Sequence, residues 1–323
     1  MVLTVLYFAL GLALIIKGGD WFVDASVWVA ERTGMPKIFI GATVVSLATT
    51  LPELFVSVTA VAKGAVGLGI GNAIGSVICN TGLILGLSVF IRPPRIERAQ
   101  FILKAGFMVL SLVMLLVFCL DSIISIPEAL ALLAVFFIFL YVSLQSARMS
   151  NEPTEKVQKQ GNTALNVLKF TAGAAAIVIG AQLLVSNAVI IASALGVSEG
   201  IIGLTVIALG TSLPELVTTV TALRKKESAI GVGNILGANI LNICLVLSAS
   251  TFVAGRLTLE SNFLPVLARV MPRTLYIDIP VAALLFMLLL IPPLIFRSKL
   301  KRFQGVLMLG VYAGFIAFLA VNI

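Results

Sequence analysis

Apolar runs of about 20 residues, the length a helix needs to cross a hydrocarbon core about 30 Å thick, recur along the whole chain with short polar connections between them. They predict ten membrane helices near residues 2–30, 36–62, 67–90, 99–120, 124–147, 163–192, 197–223, 228–253, 274–296 and 302–322. The first run has no basic leader and continues into Lys17-Gly18-Gly19 rather than a small-residue cleavage site, so a retained span is expected there. One long polar stretch, 148–162 (RMSNEPTEKVQKQGN), reads as a linker. It divides the chain into residues 1–147 and 163–323, with five spans each.

Composition agrees with a lipid bilayer as the solvent: 60% of the residues are hydrophobic, 11% are charged and the mean hydropathy is +1.14, whereas soluble domains carry about 25% charge. The net charge of +8 would suggest nucleic acid in a soluble protein. Here it belongs to topology. With the amino terminus outside, seventeen of the twenty-two Lys and Arg residues, Lys104 among them, fall in cytoplasmic connections, which predicts both termini outside and the linker in the cytoplasm of a cell-membrane protein. The segment 259–273 is expected to lie along the outer membrane surface. The chain has no histidine and three cysteines without paired spacing, so imidazole metal sites, Ser–His or Cys–His nucleophiles and a disulfide scaffold are excluded.

Residues 41–88 align without a gap to residues 203–250 at a constant shift of 162, with twenty-two of forty-eight positions identical. Five spans per half is an odd number, so the second copy enters the membrane from the opposite side. The expected fold is an all-α polytopic membrane protein, ten transmembrane helices in two inverted five-helix repeats with broken helices around a midplane ion site.

Each repeat places a proline and a carboxylate in mid-span: TTLPE from Thr49 to Glu53 and TSLPE from Thr211 to Glu215. Pro52 and Pro214 cannot donate a backbone hydrogen bond, so breaks are expected near Ala48 and Gly210. Irregular backbone at membrane depth is tolerated only around a cavity or ligand. Two carboxylates at that depth need protonation or a cation, and occupation by a cation is the simpler account. The next span of each repeat carries Asn72, Ser76 and Asn80, matched by Asn234, Ala238 and Asn242. Spacing by four sets them on one helical stripe. Asn72 and Asn234 also suit plain hydrogen bonding between helices, while Asn80 and Asn242 are expected to point at the glutamates. Carboxylate, hydroxyl, amide and carbonyl oxygens together suit calcium or sodium rather than zinc or copper.

The TTLPE and TSLPE strings, each followed by GN-x-x-G-[SA]-x-x-x-N, resemble the two alpha-repeats of the sodium/calcium exchanger family of the calcium/cation antiporter superfamily. The resemblance implies an antiporter rather than an enzyme, with Ca2+ and Na+ as transported ions and no organic cofactor. It assigns calcium to Glu53, Glu215, Thr49 and Thr211. It assigns sodium contacts to Thr50, Ser76 and Ser212 with carbonyls near Ser46 and Ala208. It also implies that the long first span of each half, kinked near Gly18-Gly19 and Gly180, slides across a static core. Ala238 and Asn242 depart from the sodium-coupled pattern, where a serine hydroxyl and an aspartate are found, and leave H+ or K+ open as alternative coupling ions. A cation channel would need a continuous pore, and an intramembrane aspartyl hydrolase would leave the paired prolines unexplained.

Overall fold

A computed structural model describes residues 2–94, 98–149, 162–194, 208–259, 261–264, 269–295 and 300–321. Apolar residues with few charges form the long helices α1 (Val2–Thr33), α4 (Val66–Ile91), α5 (Arg98–Asp121), α6 (Ile126–Met149), α7 (Thr163–Ala194), α10 (Ser228–Ala254), α11 (Thr274–Leu294) and α12 (Arg302–Val321). The second span is a bent pair, α2 (Lys37–Thr49) and α3 (Leu51–Ala62), with 43° between its halves. Its counterpart is α8 (Ala208–Thr211) followed by α9 (Leu213–Arg224). The described residues thus contain eight helices long and apolar enough to cross a membrane, or nine with the bent pair as one span. The first part of the span expected at 197–223 and most of the linker expected at 148–162 lie outside them.

The proline breaks fall at Thr50 (φ −85°, ψ −2°) and Ser212 (φ −87°, ψ 6°), two residues later than expected. Proline removes the donor for the carbonyl four residues back, but the turn itself is taken just before the second helix, where proline sits comfortably in the first turn. Residues 50 and 212 adopt the same sparsely populated bridge conformation. That is physical evidence that the two strings fold alike.

No break interrupts the helix near Gly18-Gly19 or Gly180: α1 and α7 each run as one continuous helix. Their glycines serve close packing instead. A Cβ at Gly11 would stand 2.8 Å from the Gly180 carbonyl oxygen, and one at Gly18 would stand 2.9 Å from that of Gly173. Two glycines seven apart on each helix therefore make one continuous seam between α1 and α7.

Helix α10 is the centre of the molecule, buried over 94% of its most apolar stretch against 22% for α1, α7 and α12. The main apolar core links α10 with α4, α5, α6 and α11 through side chains such as Ile74, Phe101, Phe139, Leu236 and Phe286. Lys104, expected in a cytoplasmic connection, is buried within α5 and donates to Gln100 Oε1 at 2.6 Å. Strand β1 (Ile123–Ser125) pairs antiparallel with β2 (Arg256–Thr258), and β3 (Ser261–Leu264) pairs with β4 (Arg269–Pro272). The stretch after α10, expected to lie along the membrane surface, thus contributes to two short ladders.

Candidate cation site

The two proline breaks bring the two halves of the chain against each other. Glu53 and Glu215, each in the first turn beyond its break, are completely buried and close enough to repel. Their hydroxyl neighbours come from the opposite half. Thr50 donates to Glu215 Oε1 at 3.2 Å and Thr49 lies beside the same carboxylate. Ser212, the counterpart of Thr50, stands beside Glu53 without reaching hydrogen-bond geometry. The exchange across halves follows from the repeat itself, because each broken helix offers its carboxylate to the other's turn.

Most of the remaining oxygens are buried and unpaired. Both oxygens of Glu53, Oε2 of Glu215 and the hydroxyls of Ser76, Thr211 and Ser212 have no hydrogen-bond partner. The amide groups of Asn80 and Asn242 also lack one entirely. Buried polar groups are nearly always satisfied, and an unpaired buried carboxylate costs several kcal/mol. A cluster of orphaned oxygens around two anionic groups is the arrangement a hard cation satisfies. Among the described residues no three carboxylate, thiol or imidazole groups gather, so the negative charge comes from two glutamates.

Other predicted residues have other partners. Asn72 donates to Ser57 Oγ at 2.9 Å and to the Glu53 carbonyl at 3.3 Å, fastening α4 to α3. Asn234 instead accepts from Thr49 Oγ1 at 3.1 Å. The Ser46 carbonyl accepts from the Thr50 amide at 2.9 Å and lies 3.3 Å from Thr49 Oγ1. Ala208 opens α8. Neither Asn80 nor Asn242 hydrogen-bonds a glutamate. Both lie in π-helical turns, Cys79–Leu85 in α4 and Asn242–Val246 in α10, and such turns recur at functional sites.

A cavity of about 520 Å³ leads to the site. Asn72, Ser76 and Thr211 line its inner part, and Leu68, Arg273, Thr274 and Asp278 line it toward the ends of α4 and α11. Asp278 is 3% exposed, and sequence reasoning missed it. Its only signal was a carboxylate inside an otherwise apolar span, and it lies outside the matching segments 41–88 and 203–250. Thr218 and Thr219 were missed as well; both are buried with unpaired hydroxyls.

A polytopic helical membrane protein with an oxygen-lined, doubly acidic site between two broken helices belongs to the class of membrane ion carriers. The chain matches the family described as sodium/calcium exchanger protein over residues 3–145 and 165–321, and it belongs to that family. It is 34% identical to an uncharacterised membrane protein of Methanocaldococcus jannaschii, over 97% of this chain and 96% of that one. It is 31% identical to the sodium/calcium exchanger MaX1 of Methanosarcina acetivorans, over 96% of each chain. Among solved structures it is similar to the sodium-calcium exchanger NCX_Mj soaked with 2.5 mM Na+ and 0.1 mM Ca2+, with a TM-score of 0.81, 32% identity and 98% of both chains covered.

Proposed function

We propose that this protein is a secondary antiporter exchanging Ca2+ for Na+ across the cell membrane, with Glu53 and Glu215 sharing the bound calcium. The observation that carries this reading is the group of buried, unpaired oxygens around the two glutamates. Two carboxylates balance one divalent charge, and Thr49, Thr50, Thr211, Ser212 and Ser76 supply neutral oxygens for calcium or for the sodium ions that replace it. Overlapping ligands make the loads mutually exclusive. Each load neutralises the glutamates, and an empty, doubly anionic site is too costly to carry across the bilayer core.

Ten spans in two inverted repeats, 1–147 and 163–323 joined by 148–162, provide two access states related by pseudo-symmetry. The bias of basic residues puts both termini outside and the linker in the cytoplasm. A second reading, coupling to H+ or K+, is favoured by one specific feature: Ala238 and Asn242 are fully buried at positions where the sodium-coupled pattern has a hydroxyl and a titratable carboxyl.

The test is calcium-45 uptake into proteoliposomes loaded with sodium, potassium or neither, with and without a proton gradient. Uptake is expected to require internal sodium and to vanish in Glu53→Gln and in Glu215→Gln. Uptake driven by the proton gradient alone moves the coupling to protons, and flux retained in both variants removes the proposed site.

A further inference from the structure

The cavity wall carries an acid and a base that the glutamate site does not use. Asp278 sits in the π-helical turn Thr274–Asp278 that opens α11, and its Oδ2 meets Arg273 Nε at 3.3 Å. Residues five apart lie on different faces of an α-helix, whereas a π-turn, built on i→i+5 bonds, brings them together. The other carboxylate oxygen, Oδ1, is buried and has no hydrogen-bond partner. Arg273 is about one-third exposed, and its Nη2 lies 3.8 Å from where a Cβ on Gly71 would stand, so the guanidinium reaches toward the α4 wall of the same cavity.

We propose that Asp278 is a cation-capture site on the route between one membrane face and the glutamates, with Arg273 as its built-in competing cation. An isolated guanidinium in a cation passage repels traffic. Beside Asp278 it is neutralised, and an arriving calcium or sodium ion takes the free Oδ1 while Arg273 yields Oδ2. The low-dielectric walls focus the field of that carboxylate into the cavity, raising the local concentration of cations on that side alone. The pair lies outside the stretch over which the two halves match, residues 41–88 with 203–250.

This proposal rests on the exchange function above and deepens it. Its test is calcium-45 flux through the full-length protein in right-side-out and inverted membrane vesicles, measuring KM for calcium and for sodium in each orientation. Asp278→Asn is expected to raise KM only in the orientation that presents the cavity, with Vmax unchanged. A field acting on a free ion scales with its charge, so a rise of about threefold for sodium implies about ninefold for calcium. Arg273→Gln is expected to lower both KM values in the same orientation, and Asp278→Glu to restore wild-type behaviour. An ion pair that merely holds α11 in place predicts the same direction of change for both variants, or equal changes in both orientations, and either result overturns the proposal. If Asp278→Asn fails to reach the membrane, Arg273→Gln decides alone: a lowered KM supports capture, and an unchanged or raised KM refutes it. Wild-type protein that moves no calcium would sink the exchange function itself, whereas active wild type matched by both variants sinks only the capture site.

Discussion

Helices α4 and α10 carry the same G-N-x-x-G string, Gly71 to Gly75 and Gly233 to Gly237, in very different surroundings. On α10 the glycines are a contact surface. A Cβ at Gly233 would lie 2.3 Å from the Ile38 carbonyl oxygen, and one at Gly237 would lie 2.3 Å from that of Ala42 and 2.5 Å from Ser46 Oγ. On α4 the corresponding glycines line the cavity, and among the described residues nothing comes within 4 Å of a Cβ at Gly75. One string thus serves as a seam in one half and as a passage wall in the other. In the exchange cycle proposed above, the seam is the shut side of the site and the wall is the open side.

The largest effect that tests this contrast is on stability. Gly237→Ala forces backbone apart and is expected to cost about 3 kcal/mol, while Gly75→Ala meets no clash and gains up to about 1 kcal/mol of helix propensity. Thermal unfolding in detergent should move Tm in opposite directions for the two variants. Equal losses would mean that the α4 face is covered, and the contrast would fail.

A smaller effect is expected one residue further along. Ser76 on α4 presents an unpaired hydroxyl, and Ala238 stands at the matching place on α10. Ala238→Ser supplies the missing oxygen. On the scale of one hydrogen bond, about 1 kcal/mol, the sodium concentration for half-maximal exchange should fall about fivefold while KM for calcium stays within about twofold. Sodium dependence that does not move places residue 238 outside the sodium ligands.

The spans were legible because hydropathy reports the solvent around a helix, and the paired prolines were legible because their backbone chemistry is local. Partnership was less so. Gly18 and Gly180 suit a kink or a close approach equally well, and only the facing helix decides between them. Lys104 looked like a member of a cytoplasmic cluster because sequence distance from Arg98 says nothing of the buried Gln100 beside it. Asp278 was hidden because the repeat served as the guide to function, and the match of 41–88 with 203–250 does not reach it. The two glutamates stood out for the opposite reason, since symmetry marked them twice.

The smallest effect concerns a link that only one half makes. Lys225, just beyond α9, holds Asp24 of α1 at 2.7 Å and approaches Asp20 at 3.6 Å. The repeat puts Lys63 opposite Lys225 but Gln182 and Ser186 opposite the two aspartates, so the second half has no charged link of this kind to offer. All three charged groups are substantially exposed, and solvent screening limits the pair to about 0.5 kcal/mol. Lys225 also donates to the Asp20 carbonyl at 3.1 Å, so Lys225→Ala should lower stability by about 1 kcal/mol more than that, with only the ion-pair part vanishing in about 1 M salt as the screening length contracts to about 3 Å. Packing gives α1 a second hold on α9 that salt does not screen: a Cβ at Gly19 would lie 2.9 Å from Val217 Cγ1 and 3.0 Å from Thr221 Oγ1. A loss well above about 1.5 kcal/mol that survives high salt would show that Lys225 acts through packing, and the electrostatic asymmetry between the halves would then carry no weight.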